Sequence, residues 1–461
     1  MADYQLLVIG AGPGGYVAAL HGAKKGLKTA VIENREVGGT CLNRGCIPTK
    51  TLLHAAEIVQ SVKKGEKMGI AAENIRIDLP ALFARKREVC LKLSGGIESL
   101  FKTAKIDLLH GTGTILESGK VLLKEAEEKR IVTAENIIIA TGSAPARPPI
   151  PGLDLPGVMT SDELLEGSDI PYASLVIIGG GVIGVELAAF YAEIGTKVTI
   201  MEGLDRLLPN MDRELGQNLS MILKRKGISV YTDAIVSGIE TADEGLTVHF
   251  SSKGKDTAVT GEKVLCAVGR RPNTEGLFAD GLSVEMEGRA IRTSDRYETS
   301  LPRVYAIGDV ASRIQLAHYA SAQGRDCVEK IVDGTEMTDL HNVPACIYCS
   351  PEIACVGLTA DEAKAERIET AVGKYVMFSN GKTVICEGDR GFIKIVANKH
   401  DHKIIGAQLM CEHATDMIAE LGTAVVNGLT AEQMRYVMRP HPTFEEGVGE
   451  ALDALIDKLN A

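Results

Sequence analysis

The stretch Leu6-Leu7-Val8-Ile9-Gly10-Ala11-Gly12-Pro13-Gly14-Gly15 decides how the N-terminal region reads. Four consecutive apolar residues make a buried strand, and the run breaks directly into a Gly-x-Gly-x-x-Gly turn. An alanine-rich helical stretch follows, Tyr16 to Lys25, then a second strand, Thr29-Ala30-Val31-Ile32, closed by Glu33. In a turn that cradles a dinucleotide, Gly10 permits the sharp bend and Gly12 admits a pyrophosphate to the backbone, with Gly14 in the same turn. Gly15 lets helix and strand pack closely, and Glu33 can accept hydrogen bonds from a ribose diol. Glycine-rich turns are common; the order strand, helix, strand, acid is what gives this one weight.

The pattern occurs twice. Leu175-Val176-Ile177-Ile178 leads into Gly179-Gly180-Gly181-Val182-Ile183-Gly184, a helix through Ala192, then Val198-Thr199-Ile200-Met201 and Glu202. Gly10, Gly12, Gly15, Lys28 and Glu33 recur as Gly179, Gly181, Gly184, Lys197 and Glu202, each 169 positions later. Coincidence between two glycine-rich turns does not reproduce five positions together with their strand and helix context. The chain therefore carries two dinucleotide-binding units, an arrangement suited to moving electrons from one nucleotide to the other.

Composition agrees with an ordinary globular protein. The 461 residues are 45% hydrophobic and 24% charged, enough for about three domains. Aromatic residues make up 4%, with no tryptophan, so base-stacking platforms are disfavoured. A net charge of −11 opposes nucleic-acid backbones and anionic membranes. No apolar run approaches the ~20 residues of a bilayer span, and the N-terminus lacks a secretory pattern. Ten cysteines spread over the chain fit reduced thiols in a cytoplasmic protein rather than a disulfide-stapled module.

After the first unit comes Gly38-Gly39-Thr40-Cys41-Leu42-Asn43-Arg44-Gly45-Cys46-Ile47-Pro48-Thr49-Lys50, then a predicted helix from Thr51 to Lys63. Two cysteines five apart could be structural thiols, a metal half-site or a redox pair. Zinc half-sites use shorter spacings and need a second pair nearby, which is missing here, and His54 reads as an ordinary helical histidine. Beside a dinucleotide site the redox reading gains, because a thiolate next to positive charge or a helix end exchanges rapidly. Lys50 is placed to supply that charge.

This segment resembles the redox motif of the flavin-dependent pyridine-nucleotide disulfide oxidoreductases, and the resemblance runs over essentially the whole chain. Ala140-Thr141-Gly142 is similar to the family's return to its FAD domain, and Ala267-Val268-Gly269-Arg270-Arg271-Pro272-Asn273 to its exit from the NAD domain. Val304-Tyr305-Ala306-Ile307-Gly308-Asp309 resembles the second FAD motif, and Leu316-Ala317-His318 the flavin-contacting turn of the branch that oxidises dihydrolipoyl groups. The resemblance implies an α/β fold of two Rossmann-like domains, the NAD domain inserted in the FAD domain, plus a C-terminal α+β dimerisation domain. The expected bounds are 1–148 (FAD), 149–270 (NAD), 271–342 (a central segment completing the FAD domain) and 343–461 (interface).

By the same resemblance, Cys41 exchanges with substrate, Cys46 lies against the flavin, and Lys50 pairs with Glu186 beside it. Tightly but non-covalently bound FAD is expected at Gly10, Gly12, Gly14, Gly15, Glu33, Gly39, Thr40, Lys50, Gly113, Thr141, Gly142, Ser143, Asp309, Leu316, Ala317 and His318. NAD is expected at Gly179, Gly181, Val182, Ile183, Gly184, Glu186, Glu202, Val236 and Gly269. Near the C-terminus stands His441-Pro442-Thr443-Phe444-Glu445-Glu446. In isolation His441 is a loop histidine, and Thr443-x-x-Glu446 is a capping box. The resemblance instead implies that His441 is the base for thiol exchange, oriented by Glu446, and that it reaches the cysteines of a second subunit in a homodimer.

Glu202 favours a free 2′-hydroxyl over a 2′-phosphate, hence NAD over NADP. Relatives using NADPH carry basic residues there and six positions on, where this chain has Leu208; Arg206 is out of step. Mercuric reductases and large thioredoxin reductases end in a redox pair that Asp457-Lys458-Leu459-Asn460-Ala461 lacks, and soluble transhydrogenases lack the full Cys41/Cys46 pair. The first fingerprint begins too early for a preceding lipoyl domain. The expectation is thus reoxidation of dihydrolipoyl groups on a lipoylated carrier, the E2 of a 2-oxo-acid dehydrogenase complex or a glycine-cleavage H protein, with no nucleic acid, membrane or metal involved. The rivals are reduction of another small disulfide and a non-catalytic FAD-binding scaffold. Cys346, Cys349 and Cys355 depart from the family pattern; Cys-x2-Cys looks like a metal half-site, but in an apolar run buried thiols are expected.

Overall fold

The computed structural model describes residues 2–167, 171–335 and 338–461. Apolar runs covered on both faces become parallel strands. In the first sheet, Asp107–His110, Thr29–Glu33, Tyr4–Ile9 and Lys129–Ile139 lie side by side and parallel. Val304–Ala306 adds to the far side of Lys129–Ile139. The first half of Lys129–Ile139 also pairs antiparallel with Lys120–Lys124, which pairs with Thr112–Glu117. One long strand thus belongs to a Rossmann sheet and to an antiparallel ribbon.

The second sheet repeats this plan. Ser229–Tyr231, Lys197–Met201, Ser174–Ile178, Lys263–Cys266 and Val158–Thr160 are parallel in that order. The ribbon beside it is Ala234–Ala242, Gly245–Ser252 and Lys255–Gly261. The whole second unit sits in sequence between Lys129–Ile139 and Val304–Ala306, neighbours in the first sheet, so the second domain is inserted in the first, as expected. The C-terminal domain is a five-stranded antiparallel sheet, Ala345–Ile347, Ile353–Gly357, Ile404–Met410, Phe392–Asn398 and Thr370–Val376. Helices Ala414–Val426 and Glu446–Leu459 bury their apolar faces against it.

Two boundaries differ from the sequence expectation. Residues Gly39–Arg44 form a short helix, and the next helix spans Cys46–Gly65, starting five residues before the predicted Thr51. Pro48 does not delay that start, because a first-turn proline gives up an N–H that would have no helical partner. Leu52, Leu53 and Ala56 of this helix are buried in one cluster with Val185, Phe190 and Tyr191 of the second domain and Ile347 and Phe392 of the C-terminal domain. Removing a buried leucine side chain costs about 2–5 kcal/mol. The helix carrying Cys46 is therefore fixed by all three domains at once.

Candidate functional site

The parallel strands of both sheets end on one continuous cavity of about 1790 Å³. Pockets for a single small molecule run to about 300–1,000 Å³. In open α/β sheets the carboxyl ends of the strands are where ligands bind. Both glycine turns line the cavity, as do Cys41, Cys46, Lys50 and Glu186.

The two turns are built alike. Gly10 has φ +103° and Gly179 φ +111°, where a side chain is strained. A Cβ on Gly15 would stand 1.9 Å from Gly10 O, and one on Gly184 2.0 Å from Gly179 O. These third glycines do not line the cavity; they let helices Pro13–Lys24 and Val182–Glu193 press onto their turns. Glu33 accepts from the N–H of Ala11 at 2.7 Å and of Arg35 at 2.9 Å. Glu202 accepts from Gly180 at 2.7 Å and Leu204 at 2.8 Å. Each acid thus closes its own turn and faces the cavity, with lone pairs left for a ribose. The bare turns and their acids fit a dinucleotide at each position.

Between the turns lies the cysteine segment. All ten cysteines are unpaired in this structure, and Cys41 donates a hydrogen bond to Cys46. That bond holds the Cys46 thiol below its usual range, against the pull of burial and with help from the Lys50 charge. The same bond, with burial, pushes Cys41 up. Cys46 also opens a 20-residue helix, whose N-terminus favours a thiolate. Lys50 Nζ donates to Glu186 Oε2 at 2.7 Å. Glu186 is buried, and its other oxygen accepts from Tyr348 N at 2.9 Å.

The remaining candidates ring this centre. Gly12, Gly14, Gly39, Thr40, Gly113, Thr141, Gly142, Leu316, Ala317 and His318 line the cavity with the first turn; Gly181, Val182, Ile183, Val236 and Gly269 line it with the second. Asp309 accepts from Ser143 Oγ at 2.5 Å, and Ser143 Oγ accepts from Arg270 Nε at 2.8 Å. Burial pushes the Asp309 carboxyl up, partly offset by the Ser143 bond. His318 Nε2 bonds Pro344 O at 2.8 Å.

His441 and Glu446 are placed elsewhere: within one chain neither lines the cavity. His441 is 78% exposed, with Nδ1 2.8 Å from Glu446 Oε1. Thr443 N donates to Glu446 Oε2 at 2.9 Å, but the capping box does not form: the helix begins at Glu446 itself and the Thr443 hydroxyl donates to Pro440 O at 2.8 Å. The Thr443 N–H and then His441 hold that carboxyl below its usual range.

Several residues of the site escaped the sequence reading. Arg44, 6% exposed, reaches Glu36 at 2.5 Å and lies 3.7 Å from Asp162, which Arg270 approaches from the other side at 3.9 Å. Gln323 Oε1 caps the N–H of Gly308 at 2.7 Å. None carries a local motif: Asp162 is brought to Arg44 and Arg270 across more than a hundred residues, and Gln323 caps Gly308 from the helix that follows it. The expectation of buried extra thiols needs correction: Cys349 is buried, but Cys346 and Cys355 are half-buried and line the cavity, because their two-stranded edge faces it. Cys386 is half-buried as well. Among the described residues no group of three or more His, Cys, Asp or Glu stands together as a metal site.

Comparison with known proteins adds independent evidence. Residues 4–324 match the pyridine nucleotide-disulphide oxidoreductase family model, and residues 343–452 match the dimerisation domain of the same family. A dihydrolipoyl dehydrogenase of Geobacillus stearothermophilus is 38% identical over 98% of this chain and 96% of its own. One from Chlorobaculum tepidum is 38% identical over 98% and 97%. Among solved structures, the HOCl-induced flavoprotein disulfide reductase RclA of Escherichia coli, as its Cu(II) complex, superposes with TM-score 0.87 at 28% identity, over 99% of this chain and 100% of its own. LpdA of Mycobacterium tuberculosis shares the fold, with TM-score 0.89 at 23% identity over 97% and 99%.

Proposed function

The chain belongs to the pyridine nucleotide-disulphide oxidoreductase family, and from that premise we propose that it reoxidises dihydrolipoyl groups, using Cys41, Cys46, FAD and NAD. In the net reaction a dihydrolipoyl dithiol and NAD⁺ give a lipoyl disulfide, NADH and a proton. FAD, bound at the first turn, supplies two-electron transfer between the cysteine pair and a nicotinamide held at the second.

The protein's own groups do the rest. With the pair oxidised, a substrate thiolate attacks Cys41 and the bond to Cys46 breaks; the second substrate thiol then attacks the mixed disulfide and leaves Cys41 reduced. Cys46 departs as a thiolate, which its helix N-terminus and Lys50 favour; once the second exchange returns Cys41 as a thiol, its hydrogen bond adds to them. His441 of the partner subunit takes the substrate proton, its Nδ1–H held by Glu446 so that Nε2 is the free base. Glu202 selects the 2′-hydroxyl of NAD. The observation that carries the reading is the Cys41/Cys46 pair beside the Lys50–Glu186 ion pair, where both glycine turns meet in one cavity.

A dimerisation domain at 343–452 fits a homodimer, and the dimer would bring each His441 to the other subunit's cysteines. The carrier is a lipoylated E2 or H protein, and the compartment the cytoplasm, where thiols stay reduced; no described helix is long and apolar enough to cross a membrane. The test is NADH-dependent reduction of lipoamide, glutathione disulfide and coenzyme A disulfide side by side. Lipoamide should lead by about 100-fold or more in kcat/KM, the discrimination expected of a shaped site. Equal rates, or a flavin that NADH leaves oxidised under anaerobic conditions, would sink the reading. His441→Gln should lower dihydrolipoamide oxidation by about 10²–10⁴-fold while electron flow from NADH to a quinone persists.

A further inference from the structure

Tyr348 touches both members of the Lys50–Glu186 pair. Its backbone N–H donates to Glu186 Oε1 at 2.9 Å, and its ring centroid stands 4.9 Å from Lys50 Nζ. Lys50 Nζ donates to Glu186 Oε2 at 2.7 Å. The ammonium is therefore held by a carboxylate on one side and an aromatic face on the other, within the ~6 Å reach of a cation–π contact. Tyr348 is half-buried and lines the cavity together with Lys50 and Glu186.

The segment bearing Tyr348 is itself tied down. It follows strand Ala345–Ile347, which pairs with Ile353–Gly357. Buried Cys349 donates to Pro351 O at 3.0 Å, Lys226 of the second domain donates to Ser350 O at 2.8 Å, and Cys411 N donates to Glu352 O at 3.0 Å. Tyr348 is thus anchored to the second and C-terminal domains while it meets a lysine of the first.

We propose that Tyr348 is a positioning residue of the redox centre, fixing the Lys50–Glu186 pair through its amide and its ring and so tying the ammonium beside Cys46 to the C-terminal domain. The inference rests on the reading of Cys46 as the thiolate that faces bound flavin. Lys50 and Cys46 are four residues apart on one helix, so they share a face. Within one chain the ionisable groups acting on Cys46 are Cys41, Lys50 and Glu186; the proposed dimer adds His441 of the partner subunit, which is the same in every variant compared. Those acting on Lys50 from the C-terminal domain are Tyr348 and Cys346. Burial pushes Cys346 up to about 11 and the Tyr348 hydroxyl up to about 12, so both stay neutral near pH 7. A looser ammonium stabilises the thiolate less, and the pH at which the thiolate forms must rise.

The experiment uses the holoenzyme reduced by two electrons under anaerobic conditions. The long-wavelength thiolate-to-flavin charge-transfer absorbance is followed against pH in wild type, Tyr348→Phe, Tyr348→Leu and a form with pentafluorophenylalanine at 348. Phenylalanine keeps the π-face and should reproduce the wild-type midpoint. Leucine removes the face, and the fluorinated ring keeps its shape while reversing its quadrupole, so both should raise the midpoint by about half to one pH unit, a three- to tenfold loss of thiolate. Because the fluorinated ring preserves volume, it decides the matter even if the leucine form does not fold. Midpoints for the fluorinated and phenylalanine forms that coincide would overturn the role of Tyr348. Wild type lacking the absorbance at every pH would instead overturn the thiolate reading, and the inference with it.

Discussion

The two dinucleotide turns agree in what a fingerprint specifies and differ in what surrounds them. Both have a first glycine at positive φ, a third glycine under a carbonyl, and an acid that accepts two backbone N–H groups. Around the first, the redox segment closes in: a Cβ on Gly39 would stand 2.7 Å from Gly12 Cα, and one on Gly324 would stand 2.5 Å from Gly14 O. Around the second, a Cβ on Gly181 meets nothing within 4 Å. Both turns line the cavity; the first also lies under the cysteine segment, where a Cβ on Gly12 would already meet Gly39 Cα at 4.0 Å, whereas the second is packed from its own domain, with a Cβ on Gly180 2.4 Å from Leu207 Cδ2. A roofed site suits a resident group, and an open one suits a nucleotide that leaves after each turnover.

The sharpest way to break this comparison is to damage the same position in each turn. Gly15→Ala and Gly184→Ala place a methyl about 2 Å from a carbonyl, where backbone must move. Overpacking of this kind costs about 1–3 kcal/mol at least. Gly15→Ala should yield protein with little flavin. Gly184→Ala should keep its flavin spectrum but lose NAD-linked turnover by about 10–100-fold, the same cost expressed as a rate. Loss of flavin from both variants would mean the turns do not serve separate nucleotides.

Glu202→Ala tests the second turn alone. It removes the carboxylate that repels a 2′-phosphate, and it frees the Gly180 and Leu204 amides. A charged hydrogen bond is worth about 1.5–3 kcal/mol, so the NAD/NADP ratio of kcat/KM should fall by about tenfold or more. Unchanged discrimination would sink the assignment of Glu202. Smaller still is the contrast between roofed and open turns. Gly39→Ala, at φ +59° and against Gly12, should speed flavin loss by about tenfold; Gly181→Ala, whose methyl enters the open space where a pyrophosphate approaches the backbone, should raise KM for NAD by about three- to tenfold and leave flavin retention unchanged. Flavin retention on gel filtration and steady-state kinetics measure the two.

The duplicated turns were legible because their constraints are local: a positive φ, a helix pressed on a strand, an acid at a strand end. The insertion of one domain in the other followed instead from the family resemblance, and the pairing of Val304–Ala306 with Lys129–Ile139 bears it out. What acts across the fold was not legible. The helix start at Cys46 was hidden by Gly45 and Pro48, residues that in isolation signal a break, and the start is fixed by packing of Leu52 and Leu53 on the second domain. Tyr348 works through a backbone N–H and a ring face, neither of which leaves a sequence pattern. Arg44 and Asp162 meet across a gap of more than a hundred residues. Cys346 and Cys355 looked like core thiols because an apolar edge strand and an apolar core strand read alike.

Arg206 is the smallest expected effect and the strictest check on the second turn. It is the basic residue nearest to Glu202 in sequence on the side where a 2′-phosphate would enter. Its guanidinium is already committed: Nη1 donates to Asp205 at 2.9 Å and Nη2 to Pro209 O at 2.8 Å. Asp205 also accepts from Arg213 at 2.8 Å, a bond that, with Arg206, holds its carboxyl below the usual range and therefore ionised at working pH. Arg206 does not line the cavity, whereas Gly203, Leu204 and Leu208 do. Arg206→Ala should leave the NAD/NADP ratio within about twofold, since an exposed or committed charge contributes little at a distance. A further drop in NADP use would show that the guanidinium swings free to a phosphate, and selection by Glu202 alone would then have to be abandoned.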